Sequence, residues 1–441
     1  MSGKSVKNIT YQKAVMQRFK QHKPAMVAVW VLLVLLLIAL LAPYLANHRP
    51  LYAQYEGSTF FPAFHPNKTY TFQVNGKTIR LQNDITDWKQ IKLNRVIWPI
   101  IPYSPGKNDY TNTGFKSPGD DQFWISPEGG KAEVPTRFRH FLGTNNTGED
   151  VAAGLIHGAR ISLSIGIISM SIAALLGILF GALAGYFGDR KISINFPGLI
   201  ALLFGLILGW FYGFSVRGFV LQQAWENSSL NGLIQTLLSL MIFVGIVLIF
   251  YFVLSRIKWL PGFHKNMFLP IDSMISRLIE ILQSLPVFIL ILTIAAVSKP
   301  SLTNVMVLIG LTSWSGIARL TRAEFLKVRS LEYVTAAEAL GFSQFRIILR
   351  HALPNCLAPA LVSIAFGVAA AILVESSLSF LGVGVPANTV TWGSMINEGR
   401  QQFSAWWLVV FPGIFIFITV TAYNLIGDAL RDALDPKLQK D

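Results

Sequence analysis

Few side chains here can carry charge, and their positions narrow what they could do. The stretch 334–355, VTAAEALGFSQFRIILRHALPN, is polar and basic and lies between two long apolar runs. Thr335-Ala336-Ala337 and Ala339-Leu340 favour a helix, and Gly341 allows a break and a close backbone approach. A second amphipathic stretch, Phe342 to Leu353, places Phe345, Ile348, Leu349 and Ala352 near one face and Gln344, Arg346 and Arg350 on others, and Pro354 is expected to end it. Two short helices held at a membrane surface would form a rigid coupling element, since a flexible loop would absorb a partner's movement. The plainer alternative is an ordinary basic loop between two membrane spans.

Ionisable groups inside apolar runs are costly and so become functional candidates. Glu280, with Gln283 and Ser284, lies toward one end of its run and Glu375 toward the end of another; either could line a translocation path, pair internally or reach interfacial water. His22, His48, His65, His140, His157, His264 and His351 are scattered without metal-ligand spacing. The single cysteine, Cys356, permits neither an intramolecular disulfide nor a thiolate cluster. There is no G-x-x-x-x-G-K-[ST] phosphate loop, no H-E-x-x-H and no G-x-S-x-G, so nucleotide binding and the commonest hydrolase chemistries lack a sequence warrant.

The elements that must position these residues are membrane spans. The chain is 52% hydrophobic and 14% charged, too apolar for a soluble domain of 441 residues. A helical span needs roughly 20 mostly apolar residues, and eight runs come close, at about 25–46, 161–187, 194–216, 233–255, 271–298, 302–320, 357–381 and 404–427. The first run is too long for the apolar region of a cleaved signal peptide and reads as an uncleaved span.

The net charge of +14 suggests nucleic acid in a soluble protein, but a positive-inside bias explains it better here. Lys4, Lys7, Lys13, Arg18, Lys20 and Lys23 precede the first span and no acid does, which puts the N-terminus in the cytoplasm. Eight crossings return the C-terminus there, beside Arg431, Lys437 and Lys440, and place the 334–355 stretch inside as well.

The polar region 47–155 then lies outside and is long enough to fold. Tyr70–Val74, Asn75-Gly76 and Lys77–Leu81 form a strong hairpin signal that sets Tyr70, Phe72, Ile79 and Leu81 on one face. Trp98–Tyr103 is apolar but broken by proline, and 117–121 and 126–130 read as turns. The expectation is a small β-containing outer domain, with an irregular cap on the membrane mouth as the alternative. Gly177, Gly181 and Gly185 share one helix face and Gly205, Gly209 and Gly213 another, as close helix packing requires.

The 334–355 stretch resembles the cytoplasmic coupling loop of ABC importer permeases, the EAA loop. Ala336-Ala337, Gly341 and His351-x-Leu353-Pro354-Asn355 carry the pattern. Thr335 stands where the family has Glu, and Glu338 follows three residues later, so the family's Glu role passes to neither. Three more segments resemble C-type permease subunits of the oligopeptide/dipeptide ABC transporter family. They are His140–Thr144 through Gly148-x-Asp150 with Gly158–Ser162, Glu375–Gly382 with Trp392-Gly393, and the run 427–436. Glu149 replaces the basic residue usual before Asp150.

The resemblance implies an all-α polytopic membrane protein with a type I importer core of six spans. To this the chain adds an inserted pair of spans, about eight in all, and the small extracytoplasmic domain. It implies a cytoplasmic tail 1–24, a first span 25–46, an outer insert 47–155, a span 156–190, an inserted span pair 191–265, a core 266–430 with its coupling loop at 321–356, and a tail 431–441. Arg256, Lys258 and Lys265 agree with a cytoplasmic return after the inserted pair. Long outer insertions resemble a branch of these permeases linked to larger or antibiotic peptides.

By the same resemblance, Thr335, Ala336, Ala337, Glu338, Leu340, Gly341, Phe342, Arg346, Arg350, His351, Leu353 and Pro354 form the ATPase-coupling loop. The implied partners in the cell membrane are a homologous B-type permease, two ABC ATPases that bind the ATP, an extracytoplasmic peptide-binding protein and lipid. No cofactor of the chain's own is implied, and no nucleic acid. A permease for nickel or another metal chelate is an alternative within the same fold. A secondary transporter or membrane scaffold is the alternative outside it, although no internal repeat supports the former.

Overall fold

The computed structural model describes residues 11–55, 58–65, 68–74, 77–83, 86–91, 93–126, 130–227, 229–254 and 266–434. The Asn75-Gly76 turn, Pro436 and the positive charges at Lys4, Lys7, Arg256, Lys258, Lys265, Lys437 and Lys440 lie outside these residues.

In chain order, helices α1 (Tyr11–Gln21) and α2 (Lys23–Leu45) are followed by short strands β1 (Tyr52–Tyr55), β2 (Ser58–Phe60), β3 (Thr69–Val74), β4 (Lys77–Gln82), β5 (Arg95–Ile97), β6 (Phe123–Ile125) and β7 (Lys131–Glu133). Then come α3 (Val151–Phe187), β8 (Ser193–Asn195), α4 (Phe196–Ser215), α5 (Gly218–Asn227), α6 (Ser229–Leu254) and β9 (Asn266–Phe268). The remainder is helical: α7 (Ile271–Ser284), α8 (Val287–Val297), α9 (Leu302–Val328), α10 (Glu332–Ala339), α11 (Gln344–Phe380), α12 (Trp392–Gln401) and α13 (Trp407–Leu434).

Among the described residues, six helices are long and apolar enough to cross a membrane: α2, α3, α4, α6, α11 and α13. The pair α7 and α8, bent by 81° at Leu285-Pro286, makes a seventh if it counts as one span. The eighth run falls in α9, which is not among these helices. That helix carries Arg319, Arg322, Glu324 and Lys327 in its C-terminal half.

The chain divides into two compact units, Met1–Ala182 with Ile279–Asp441, and Leu183–Leu278. In the first, α9 lies against α3 along glycine positions. A Cβ added at Gly177 would meet Ile317 Cβ at 2.7 Å, and one at Gly181 would meet the Ala318 carbonyl at 2.6 Å. In the second, Gly205, Gly209 and Gly213 of α4 face Val247, Phe243 and Ser239 of α6 at 3.0 Å. Each glycine face therefore serves a helix that the spacing alone did not name.

Within the second unit, β8 pairs antiparallel with β9, Ile194 opposite Met267, and Asp189 accepts hydrogen bonds from the Ser273 backbone N–H (2.9 Å) and hydroxyl (2.6 Å). The two ends of the segment that carries α4, α5 and α6 are thus bonded to each other.

The strand-bearing region holds a three-stranded sheet in the order β2-β1-β5 and two hairpins, β3-β4 and β6-β7. The β3-β4 register, Tyr70 opposite Leu81 and Phe72 opposite Ile79, is the one the alternation predicts. Its core is Ala53, Phe60, Tyr70 and Trp88. Buried Asn83 ties the segment together: its amide donates to the Pro62 and His65 carbonyls, each at 2.8 Å, and its oxygen accepts the Trp88 indole N–H at 2.9 Å. The 117–121 turn forms as expected, with the Asp120 N–H donating to the Ser117 carbonyl at 3.2 Å.

Candidate functional site

The 334–355 stretch folds as a helix, an elbow and a second helix. At the end of α10, the Gly341 N–H donates to the Glu338 carbonyl (3.0 Å) and the Phe342 N–H to the Ala337 carbonyl (3.2 Å). These two bonds form a Schellman motif, which needs a left-handed residue at its exit, and Gly341 has φ +76°. Nothing lies within 4 Å of where its Cβ would be, so glycine is used here for its backbone and not for a close approach. Ser343 then caps the next helix by accepting the Arg346 N–H at 3.4 Å.

The elbow is held stiff. The Phe342 ring has the Arg346 guanidinium 4.6 Å from its centroid and stacks with the His351 ring at 6.1 Å. The Asn355 amide joins the two helices by donating to the Tyr333 hydroxyl at 3.0 Å.

Two expectations for this stretch are corrected. Pro354 does not end a helix; it occupies the first turn of Leu353–Phe380, and the helical run continues from Gln344. Residues Ile347–Ala352 just before it form a π-helix, whose wider turn makes room for a ring that cannot donate to the carbonyl four residues back. That turn also shifts the facing of the side chains. Ile347 and Ala352 are the buried pair and Ile348 is half-buried, while Phe345 and Leu349 are exposed. Phe345 and Leu340 are 72% and 74% exposed, beside exposed Arg346 and Arg350, and Val334 and Ala337 face inward with Ile347. Thr335 and Ala336 are exposed, Glu338 and Leu353 half-buried, and the Thr335 hydroxyl donates to the Glu332 carbonyl at 2.9 Å. The arrangement is a stiff element presenting apolar side chains rimmed by cations, which suits docking to another protein and holds no catalytic grouping.

The separated motifs converge at the other end of α11. Glu375 is 0% exposed and accepts hydrogen bonds from Ser379 (2.8 Å), Ser162 (3.2 Å) and Ser376 (3.4 Å). Three serine hydroxyls thus hold the Glu375 carboxyl within the protein. Trp392 donates its indole N–H to the Leu155 carbonyl at 3.1 Å and lies against Gly158, where a Cβ would come within 2.8 Å of the ring. Asn145 donates to both Glu149 (3.1 Å) and Glu398 (2.9 Å), and Trp407 donates to the Thr144 carbonyl at 3.1 Å. Burial raises both Glu149 and Glu398 above the usual carboxylate range, and the Asn145 amide works against it.

Glu280, Gln283 and Ser284 stand apart from that cluster, exposed at the end of α7 next to the 81° bend. Gln283 accepts from the Arg319 guanidinium of α9 at 3.1 Å, and Ser284 donates to the Ile281 carbonyl at 2.8 Å.

One network escaped the sequence reading. His140 is fully buried, with Nδ1 2.8 Å from Asp150 and Nε2 3.2 Å from Asp109, and its ring stacks on Tyr103 at 3.9 Å. Burial alone would depress His140, but the hydrogen bonds to the two carboxylates outweigh it and hold the imidazole above its ordinary value. Asp109 is held well below the usual carboxylate range despite burial, by hydrogen bonds from His140, Thr111 and Asn112. His140 and Asp150 share a motif visible in the sequence, but Asp109 comes from a separate segment that no spacing connects to them.

Residues 259–440 match the model of the binding-protein-dependent transport system inner membrane component, and residues 10–65 match that of the N-terminal TM domain of oligopeptide transport permease C. The dipeptide transport system permease protein DppC of Bacillus subtilis (strain 168) is 30% identical over 309 residues, 70% of this chain and 72% of the relative. The di/tripeptide transport system permease protein DppC of Pseudomonas aeruginosa (strain UCBPP-PA14) is 31% identical over 343 residues, 77% and 82% of the two chains. The inner membrane ABC transporter permease protein YejE of Escherichia coli (strain K12) is 26% identical over 424 residues and matches along 95% of both chains.

Proposed function

Since the chain belongs to the binding-protein-dependent ABC transporter permeases, in their oligopeptide/dipeptide C-type branch, we propose that it forms half of the translocation pore of an ATP-driven peptide importer. The observation that carries this reading is the elbow at Gly341, a stiff helix pair with an exposed apolar and basic face inside a chain of membrane spans. Such a part has no use in a pore that works alone. It is what transmits movement from a soluble motor.

In this reading a homologous permease supplies the other half of the pore, one of two ABC ATPases docks on Leu340, Phe345, Arg346 and Arg350, and an extracytoplasmic peptide-binding protein delivers cargo. ATP is bound by those partners and not by this chain. The six-span core and the inserted pair make eight crossings, with both termini and the elbow cytoplasmic and the strand-bearing region outside. Counting α9 as a core span is supported by its packing on α3, since its polar C-terminal half then meets the elbow at the membrane surface. Closure of the ATPases moves the elbow, which biases the spans between two arrangements; Glu280, Gln283 and Ser284 line the pore in this reading, which their exposure beside the bend supports.

The test is uptake of a labelled tripeptide by cells that lack this gene. Uptake should fall and return with the wild-type gene, while nickel uptake stays unchanged. Unchanged peptide uptake with reduced nickel uptake would reverse the assignment of cargo.

A further inference from the structure

A cavity of about 580 Å³ opens within the strand-bearing region, inside the range of roughly 300–1,000 Å³ of small-molecule sites. Its lining includes Lys89, His48, Asp87, Tyr103, Trp124 and Phe138. Two half-buried polar side chains in this wall, Lys89 and His48, have donor capacity that no described group uses. The Lys89 ammonium sits over the Tyr103 ring at 3.3 Å and near the Phe138 ring at 5.2 Å, and among the described residues no carboxylate lies within ion-pair distance of it. His48 uses Nδ1 on the Ser104 hydroxyl at 2.8 Å, while its buried Nε2 has no hydrogen-bond partner.

A desolvated cation without an anion is expensive, and burial pushes Lys89 down to about 8 and His48 down to about 3. The nearby Asp109 cannot serve Lys89, because its oxygens already accept from Thr111, Asn112 and His140. Asp87 is exposed and, among the described residues, accepts only the Lys89 backbone N–H, at 3.1 Å. The wall therefore offers a donor pair at one place, a carboxylate with spare acceptor capacity at another, and aromatic faces between them.

We infer that this cavity is a binding site for the carboxylate of a short peptide, with Lys89 and His48 receiving the carboxylate, Asp87 the amino terminus and the aromatic rings the side chains. The site lies outside the membrane helices, so it would hold peptide before the pore does. This inference rests on the peptide-importer reading for its choice of ligand, and the chemistry it needs is only a free carboxylate on a small, partly apolar molecule.

The test uses the full chain alone in lipid nanodiscs, with Ala-Phe-Ala and its C-terminal amide as probes and Trp124 fluorescence or calorimetry as readout. The free acid should bind at least about tenfold more tightly than the amide, the difference expected of a charge-assisted hydrogen bond. Lys89→Met should bring the acid down to the level of the amide without changing the proteolytic pattern of the outer region, and Lys89→Arg should keep the preference. Equal binding of acid and amide by the wild-type chain would overturn the inference. So would a Lys89→Met variant that keeps the preference, or one whose only defect is weaker docking of a peptide-free binding protein. The two readings fail separately. Peptide transport by the assembled importer with no acid preference in the isolated chain sinks only this site, whereas acid-selective binding with no peptide transport sinks only the importer.

Discussion

At the scale of single residues, the account depends most on Gly341. Asp and Asn both tolerate the left-handed conformation that its φ of +76° demands, and the space beside it is open, so either should fold there. Gly341→Asp should leave membrane insertion intact but sharply lower peptide uptake by placing a charge at the ATPase contact, and Gly341→Asn should keep more of it; wild-type uptake by Gly341→Asp would sink the coupling role. Gly148 is a different case. With φ +84°, its Cβ would fall 2.1 Å from the Asp109 carbonyl oxygen, so Gly148→Ala should destabilise the strand-bearing region by about 2 kcal/mol or more, seen as faster proteolysis of that region.

The His140 network adds a pH dependence. His140 is raised, so its contribution is complete below its unfolded value of about 6.5 and is lost as pH climbs through the higher folded value. Asp109 is lowered, so its contribution is present above about 3.9 and is lost as pH falls through the lower folded value. The strand-bearing region should be most resistant to heat between those limits, and His140→Asn should flatten the alkaline decline, as followed by tryptophan fluorescence. Gly341 and the motif around Asp150 were legible from spacing. The partnership of His140 with Asp109 was not, because it is made by tertiary folding between segments.

Among the elements, the β3-β4 hairpin and the first helix of the elbow follow the sequence closely, since alternation and the Ala-rich run each specify one local structure. The second helix does not. A 3.6-residue period put Phe345 and Leu349 on the same face as Ala352, but the π-helical turn at Ile347–Ala352 rotates that assignment and exposes the first two. That exposure gives a sharper prediction than the sequence could. Leu340→Ser with Phe345→Ser should alter stability by no more than about 0.5 kcal/mol each, as at other exposed sites, yet it should lower the amount of ATPase that copurifies. Loss of the membrane-inserted chain itself would contradict the surface role. At the α3–α9 crossing the expectation reverses. Gly177→Leu drives a side chain into Ile317 at 2.7 Å, so about 1–3 kcal/mol of packing should be lost and expression should fall.

For the whole molecule, the apolar runs announced a membrane protein, but their number was less legible. The charged end of α9 and the 81° break between α7 and α8 blur two of the eight runs; the first is written in the composition just past the apolar run, and the second comes from how the helix bends. With the only cysteine, Cys356, buried, introduced thiols can report sidedness. Tyr110→Cys should react with an impermeant maleimide in intact cells, and Phe345→Cys only after permeabilisation. Whether this chain is one half of a pore driven by separate ATPases can be read by purifying the tagged chain from its native membrane in mild detergent. Its stoichiometric partners are then identified by mass spectrometry. A second permease together with ABC ATPase subunits should copurify; recovery of the chain alone, repeated after cross-linking, would rule that assembly out.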